Sequence, residues 1–151
     1  MQILRPQIEH LNIQSRVNII IVPPNFIDQA WFKEGADCLE EACATVEDIT
    51  GGQLKMMLSR GERHLARLDE NGKPVGWGCF QIDQLPNLRV LHISALVSHN
   101  HGFQRFFEEM KTIARSMGCS EIRCSCKPAQ ARLFKRTNEF EEVFTTLRVK
   151  L

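Results

Sequence analysis

Residues 89–127 read RVLHISALV-SHNHG-FQRFFEEMKTIARSMGC-SEIRCSCK, and this stretch decides the fold of the chain. Its first segment is an apolar, β-branched run that predicts a strand over Arg89–Val97. A short loop with Gly102 leads into an amphipathic helix, which ends at Gly118. A second strand is predicted over Glu121–Lys127. A helix that follows a strand through such a loop presents backbone N–H groups at one point, which favours binding of phosphate or another anion.

The composition is that of one ordinary globular domain. Of the 151 residues, 43% are apolar and 25% are charged, and the formal net charge is +1. This near-neutral balance gives no support for a nucleic-acid or membrane-surface role. No apolar run reaches the roughly 20 residues of a membrane span, and the N-terminus lacks the apolar core of a secretory signal. We interpret residues 1–16 as an N-terminal arm and residues 17–151 as one domain, and we expect a cytoplasmic location.

Six cysteines are scattered along the chain, and no two of them form a CxxC pair. This spacing does not match a thioredoxin motif or a zinc ribbon, and it indicates reduced, half-buried thiols. Cys124 and Cys126 lie two residues apart on a predicted strand and should share a face. His99 and His101 are separated by one residue in a loop, which is not a strong ligand signature, so no metal site is predicted.

The N-terminal half of the domain predicts one strand and two helices. Val17–Val22 is a β-branched run and predicts the first strand. An approximate helical stripe predicts one helix over residues 25–44. A second helix is expected to follow with Thr45 as its N-cap, because Glu47 and Asp48 in its first turn suit the positive end of the helix dipole.

A three-strand meander is predicted next, with its strands at Arg63–Leu68, Pro74–Ile82 and Arg89–Val97. Asn71-Gly72 is a strong signal for the turn of a hairpin. Gly76 and Gly78 inside the middle strand suggest a bulge or a close approach of two backbones. After the strand predicted over Glu121–Lys127, Pro128 begins a short helix. The alternation of apolar and charged residues over Phe140–Leu151 predicts a long closing strand.

The order strand, two helices, three-strand meander, helix, strand, helix, strand resembles the GNAT superfamily of acyl-CoA-dependent N-acyltransferases. The similarity covers residues 17–151 and is best in DENGKPVGWGCF, LHISALV and ARLFKRTNEF. The resemblance implies an α/β fold with a mixed, twisted sheet of about six or seven strands flanked by helices. Taken whole, the chain is most similar to small GNAT-like proteins of phages and prophages, which would place it in the host cytoplasm.

The resemblance also implies a site for acetyl-CoA or CoA. In the family the pantetheine arm lies where the fourth and fifth strands part, and the pyrophosphate meets a loop of pattern Gln/Arg-x-x-Gly-x-Gly/Ala. By position, the pantetheine would follow Leu96, Val97 and Ser98. The pyrophosphate would meet the backbone of His101, Gly102, Phe103 and Gln104. The loop is degenerate, since it holds one glycine and Gln104 stands where a second small residue is expected, close to the ligand.

Amine acylation needs a base, for which the fourth strand offers His92 and Ser94 on one face. A histidine is a chemically reasonable base near pH 7. Asp83 at the end of the preceding strand is an alternative. Glu40 or Glu41 on the first helix is another.

The sequence offers more than one candidate for the proton donor to the departing thiolate. The chain has no tyrosine, although the family uses one in the late helix. The matching position is Phe134 or, shifted by one, Lys135. Cys124 or Cys126 is a further candidate from the fifth strand.

Two functions therefore stay open. The first is an N-acyltransferase acting on a small amine or on a protein amine. The second is a catalytically silent GNAT fold used as a binding or assembly module, with a protein partner or a second copy of the chain. Neither involves nucleic acid or a membrane.

Overall fold

The computed structural model describes residues 16–44, 47–98 and 103–151. Its described residues form one five-stranded sheet in the order β1-β2-β3-β4-β5. Neighbouring strands are antiparallel except for the parallel pair β4–β5. The expected mixed sheet is confirmed, with five strands rather than six or seven. The strands are β1 Val17–Val22, β2 His64–Glu70, β3 Lys73–Gln84, β4 Arg89–Ser98 and β5 Glu121–Cys124.

Helices cover both faces of this sheet. In chain order they are α1 Ile27–Lys33, α2 Leu39–Ala44, α3 Gly51–Ser59, α4 Phe107–Ser116 and α5 Pro128–Thr137. A 3₁₀ turn over Phe103–Phe106 precedes α4, and the positive φ of 79° at Gly118 follows its end. The α4 helix carries the chain from β4 to the parallel β5. Within the described ranges, no helix is long and apolar enough to cross a membrane.

The single helix predicted over residues 25–44 is wrong, because the chain breaks at Gly35. That residue has a φ of 98°, a left-handed conformation that glycine adopts without a Cβ penalty. Short 3₁₀ turns at Pro24–Phe26 and Ala36–Cys38 replace parts of the expected helix.

The second predicted helix starts later than expected. Its N-cap is Thr50, whose Oγ1 accepts from the N–H of Gln53 at 3.2 Å, while Gln53 Oε1 accepts from the N–H of Thr50 at 2.9 Å. This reciprocal capping box satisfies two backbone donors at once. The sequence prediction placed the cap at Thr45, which lies outside the described residues, and Glu47 and Asp48 precede the helix rather than forming its first turn.

The hairpin was predicted correctly, and so was a close backbone approach at Gly76; a Cβ on Gly78 would make only ordinary contacts, at 3.4 Å or more. Asn71 and Gly72 have φ values of 53° and 78°, as a type I′ turn requires. A Cβ placed on Gly76 would lie 2.7 Å from the carbonyl oxygen of Val97, so glycine permits β3 and β4 to approach closely there. This contact supports β4 beside the cleft described below.

Two hydrophobic cores hold the helices on the sheet. On one face, the α4 helix packs against the sheet through residues such as Phe80, Leu91, Phe106, Phe107 and Met110. On the other face, α1, α2 and α3 pack through residues such as Trp31, Leu39, Leu54, Leu58 and Trp77. Because both faces are covered, the strands are fixed in position and can support a site at the edge where they part.

The closing strand predicted over Phe140–Leu151 is wrong. In the structure these residues form no strand with the sheet. Phe140 packs against the α4-side core, whereas Leu147 and Val149 are 89% and 84% exposed. The alternation is real, but a strand also needs a neighbouring strand to satisfy its backbone, and this segment has none within the described chain.

Replacing Gly76 by alanine should destabilise the fold by about 1–3 kcal/mol, because the new methyl group overlaps the β4 backbone. Urea unfolding measures this difference in free energy. Gly52→Ala is the matched control, since a Cβ on Gly52 meets no atom within 4 Å and a helical alanine should add about 0.5–1 kcal/mol. Equal stability of the two variants would contradict the close approach.

Candidate active site

The two parallel strands of the sheet part halfway along their length. β4 and β5 pair from Val90–Glu121 to Ile93–Cys124, and no further pair follows in the described residues. β4 continues to Ser98, whereas the chain beyond Cys124 turns away to enter α5. The sequence prediction of a β5 strand to Lys127 is therefore three residues too long. A wedge opens between the two strands, and within the described residues β5 does not pair with β4 beyond Ile93.

A bulge in β4 lies where this wedge begins. Ile93 is paired with Phe80 and Ala95 with Cys79, so Ser94 is an extra residue on the β4 side. The Ser94 hydroxyl donates to the carbonyl oxygen of Cys79 at 3.2 Å, so this hydroxyl has its hydrogen-bond partner within the bulge. A bulge bends its strand and increases the local twist. It therefore helps to direct the far half of β4 away from β5.

The wedge forms a cleft of about 550 Å³, within the range of roughly 300–1,000 Å³ typical of small-molecule sites. One wall is the β4 segment 93–97, and the other comprises residues 124–127. Apolar and polar groups both face it. The remaining lining residues are Glu41, Ala42, Gln130, Phe134 and Phe140.

Four polar side chains form a chain that ends in the cleft. Gln81 Nε2 donates to Asp83 Oδ1 at 2.9 Å, and Asp83 Oδ2 lies 3.5 Å from His92 Nδ1. His92 Nε2 lies 3.3 Å from the hydroxyl of Ser125, which lines the cleft. A carboxylate beside Nδ1 favours the tautomer with its proton there, leaving Nε2 to accept from Ser125. The arrangement can pass a proton between the cleft and the imidazole.

Ser125 and Gln81 were missed by the sequence reasoning. Ser125 stands between two cysteines in a segment predicted as regular strand, and no local pattern marks it. Gln81 lies at an ordinary strand position. The only signal is three-dimensional, because β3, β4 and the residue after β5 meet at His92.

The predicted site residues fall into three groups. Ser94, Leu96 and Val97 line the cleft. Ser98 ends β4, and His92 reaches the cleft through Ser125. The loop residues His101 and Gly102 lie outside the described residues, and Phe103 begins the 3₁₀ turn before α4.

Gln104 connects the start of the α4 region to the late helix. Its side-chain amide donates to the carbonyl oxygen of Thr137 at 3.2 Å. Thr137 is the last residue of α5. The side chain that was expected to stand close to a pyrophosphate therefore bonds to one of the terminal carbonyls of a neighbouring helix.

The positions matched to the family's tyrosine, Phe134 and Lys135, both lie on α5. Phe134 lines the cleft, and its ring centroid lies 5.6 Å from that of Phe140. Lys135 is exposed and lies 4.0 Å from Glu142. Burial and the neighbouring Cys126 raise the pKa of the Cys124 thiol to about 12. Cys124 is therefore a neutral thiol at physiological pH and not a ready nucleophile.

The two acidic alternatives on the first helical region differ in position. Glu40 accepts a hydrogen bond from Trp31 Nε1 at 3.2 Å, so its carboxylate supports the α1–α2 packing. Glu41 lines the cleft from α2. The described part of the chain contains no group of three or more His, Cys, Asp or Glu side chains arranged to hold a metal ion.

No protein-family model and no curated protein matches this chain, but solved structures do. A ribosomal-protein-alanine N-acetyltransferase from Brucella melitensis biovar Abortus 2308 aligns with a TM-score of 0.64 at 14% identity, over 90% of this chain and 99% of that one. An aminoglycoside acetyltransferase from an uncultured soil metagenomic sample, in complex with sisomicin, gives 0.63 at 15%, over 89% and 96%. A predicted acetyltransferase from Clostridium acetobutylicum, with acetyl-CoA, gives 0.60 at 11%, over 89% and 96%. The chain therefore has the fold of the GNAT acetyltransferases.

Proposed function

We propose that this chain is an acyl-CoA-dependent N-acyltransferase that transfers an acyl group, such as acetyl, to an amine. The observation that carries the proposal is the cleft between β4 and β5, which opens after Ile93–Cys124. It lies where the GNAT resemblance places the pantetheine arm. When bound, acetyl-CoA supplies a thioester whose C–S bond breaks as the new C–N bond forms, with CoA leaving as a thiolate.

The β4 wall fits an amide-containing arm. The segment Ala95–Val97 has no partner in β5, so backbone groups on that edge remain available to a ligand as they would be to a strand. Leu96, Val97 and Phe134 supply apolar lining. Ser98 would continue this wall towards the loop.

The pyrophosphate would lie at the start of the α4 region. His101, Gly102, Phe103 and Gln104 precede or open that segment, where backbone N–H groups are not used within the helix. The bond from Gln104 to Thr137 directs its side chain towards α5, which supports an approach to the backbone despite the missing second glycine.

His92 would act as the base that removes the proton from the attacking amine, with Ser125 as the bridging hydroxyl. Asp83 is a positioning residue, since it faces Nδ1 and favours the tautomer that leaves Nε2 as acceptor. Ser94 contributes through the bulge that places the cleft wall. This order of groups resembles an acid–base relay more than a lone surface histidine.

The acceptor is proposed to be an amine because the cleft combines this base with an acidic side chain. Glu41 lines the cleft and is exposed, so it can attract an ammonium group before the proton is removed. Lys127 also lines the cleft and would favour the anionic leaving sulfur electrostatically. With Phe134 facing the cleft, the thiolate would leave without a phenolic proton donor.

A second candidate function is a catalytically silent binding module. Phe134 in the cleft is the observation that favours it, because a phenyl ring cannot donate a proton. The two functions differ in one measurable way. A silent module forms no product even where CoA binds.

Gln130→Trp should raise the dissociation constant for CoA and acetyl-CoA at least about tenfold, because the indole would fill the cleft from α5. Isothermal titration calorimetry with millimolar ligand measures this. Leu133→Trp is the matched control, since Leu133 is on the same helix, is 46% exposed and does not line the cleft. Absence of CoA binding to the unaltered protein would refute the cofactor assignment.

His92→Gln should lower kcat/KM for acyl transfer by about 10²–10⁴, the usual contribution of general base catalysis. The measurement is release of free CoA thiol from acetyl-CoA with a panel of amines, taken across pH. A histidine base must be neutral to accept a proton, so the rising limb of the pH profile should be present in the unaltered protein and absent in the variant.

His64→Gln provides the control, because His64 contacts the ring of Phe80 at 5.1 Å and lies outside the cleft. It should keep the pH profile. If His92→Gln retains both rate and profile, His92 is not the base. If no amine yields CoA thiol although CoA binds, the silent module is the correct function.

A further inference from the structure

Three residues of the polar chain beside the cleft have the arrangement of a nucleophile, a base and an orienting acid. Ser125 Oγ lies 3.3 Å from His92 Nε2, and Asp83 Oδ2 lies 3.5 Å from His92 Nδ1. A serine within reach of an imidazole whose other nitrogen faces a carboxylate is the signature of nucleophilic catalysis, on any fold and in any chain order. Both distances are at the long end of the hydrogen-bond range, as in sites that tighten when a substrate binds.

Ser125 lies where an incoming acyl group can reach it. It is the first residue after β5, it lines the cleft, and it is exposed to solvent. The α5 helix begins three residues later at Pro128, so the serine lies on the turn from a strand into a helix. A serine on such a turn presents its hydroxyl at the end of the sheet rather than within it.

We propose that Ser125 is a nucleophile that accepts an acyl group from a thioester or an activated ester and passes it to water, so that the chain is also an acyl hydrolase. This activity goes beyond direct acyl transfer, because the acyl group is held on the protein between two half-reactions. It uses the same base as the proposed transfer, but it requires neither CoA nor an amine. The two activities therefore stand or fail separately.

The first half-reaction forms an ester on the protein. His92 Nε2 takes the hydroxyl proton while Ser125 Oγ attacks the acyl carbon, which gives a tetrahedral intermediate. The C–S or C–O bond to the leaving group then breaks, and the leaving thiol or alcohol takes the proton from the imidazolium. The imidazolium thus supplies the proton that no phenol in this chain can supply.

The second half-reaction returns the protein to its starting state. His92 Nε2 takes a proton from a water molecule as its oxygen attacks the acyl carbon of the ester. The bond between that carbon and Ser125 Oγ breaks, and Oγ takes the proton from the imidazolium. The products are a carboxylic acid and a free serine, so the net reaction is hydrolysis of the acyl compound.

The same part of the cleft carries positive charge that suits the oxyanion of the tetrahedral intermediate. Lys127 and Gln130 line the cleft together with Ser125. Gln130 lies in the first turn of α5, a helix of ten residues, and the N-terminal end of a helix is the positive end of its dipole. The Lys127 ammonium and this helix end both favour negative charge on the acyl oxygen.

The charged groups around His92 leave Asp83 as the carboxylate that orients the ring. On β3, Asp83 faces Nδ1, and Gln81 Nε2 donates to the other oxygen of that carboxylate at 2.9 Å. On β5, Arg123 is opposite His92 in the ladder, and its guanidinium is bound to Glu121 at 2.9 Å. Asp83 does not line the cleft, so it acts through His92 and is a positioning residue.

With p-nitrophenyl acetate, and with no CoA or amine present, the protein should release a burst of about one p-nitrophenol per chain before slower turnover, because the acyl-enzyme accumulates. Mass spectrometry after acid quenching should place one acetyl group on Ser125. Ser125→Ala should remove the burst and lower the hydrolysis rate at least about a hundredfold.

Ser120→Ala is the matched control, because Ser120 is an exposed serine at the other end of β5 and does not line the cleft. It should keep the burst and the rate of the unaltered protein. Circular dichroism should show both variants folded, since both serines are exposed. Equal rates in the two variants, or an acetyl group on Cys126 instead of Ser125, overturn the proposal.

Asp83→Asn should lower kcat for p-nitrophenyl acetate at least about tenfold with little change in KM, because the amide nitrogen can donate to Nδ1 and favour the tautomer with its proton on Nε2. Steady-state kinetics separates the two constants. An unchanged kcat, or a loss confined to KM, overturns the orienting role of Asp83.

Acetyl-CoA separates this proposal from the acyl transfer proposed above. A chain that carries acetyl on Ser125 after p-nitrophenyl acetate but binds no CoA is a hydrolase and not an acyl-CoA-dependent transferase. Release of CoA thiol from acetyl-CoA without an amine, lost in Ser125→Ala, supports both activities. A chain that acetylates an amine from acetyl-CoA and never carries acetyl on Ser125 is a transferase only, and the nucleophile proposal is then wrong.

Discussion

The feature on which the rest of the structure depends is the end of β4–β5 pairing at Ile93–Cys124. A parallel ladder that stops halfway leaves backbone groups of β4 without a neighbouring strand, and such groups need another partner. The bulge at Ser94 and the entry into α5 at Pro128 hold the two strands apart from opposite sides. Packed helices on both faces of the sheet hold the strands on the two sides of the gap. The architecture thus maintains an open, partly apolar cleft.

The sequence predicted correctly those elements that are determined by residues next to one another in the chain. Asn71-Gly72 requires the left-handed conformations found there, and the apolar periods of β4 and α4 need no knowledge of the rest of the chain. It failed where two local signals compete. Thr45 and Thr50 are both good N-caps, but Thr50 has Gln53 three residues later and forms the reciprocal box. It also failed at Gly35, because a helical stripe on both sides concealed the break.

The candidate site was predicted only in part, because its geometry depends on register. His92, Ser94, Leu96 and Val97 could be assigned to one strand from the sequence, and the cleft is lined by the last three. The contact of His92 with Asp83 and Ser125 joins two strands and the residue after a third, which no spacing along the chain reveals. The sequence matched the family's tyrosine to Phe134 or, shifted by one, to Lys135, and of the two only Phe134 lines the cleft. The chain has no tyrosine, so no phenol lines the cleft.

The cleft and a groove of about 690 Å³ beside β5 share one lining residue among those described, Phe140. It lines both the groove beside β5 and the cleft, and its ring contacts Phe107 of α4 and Phe134 of α5 at 5.3 and 5.6 Å. Aromatic pairs of this kind contribute about 0.5–1.5 kcal/mol each beyond the area that they bury. The α4 side of the sheet and the α5 helix therefore meet at Phe140, so one wall of the cleft depends on the packing of this ring.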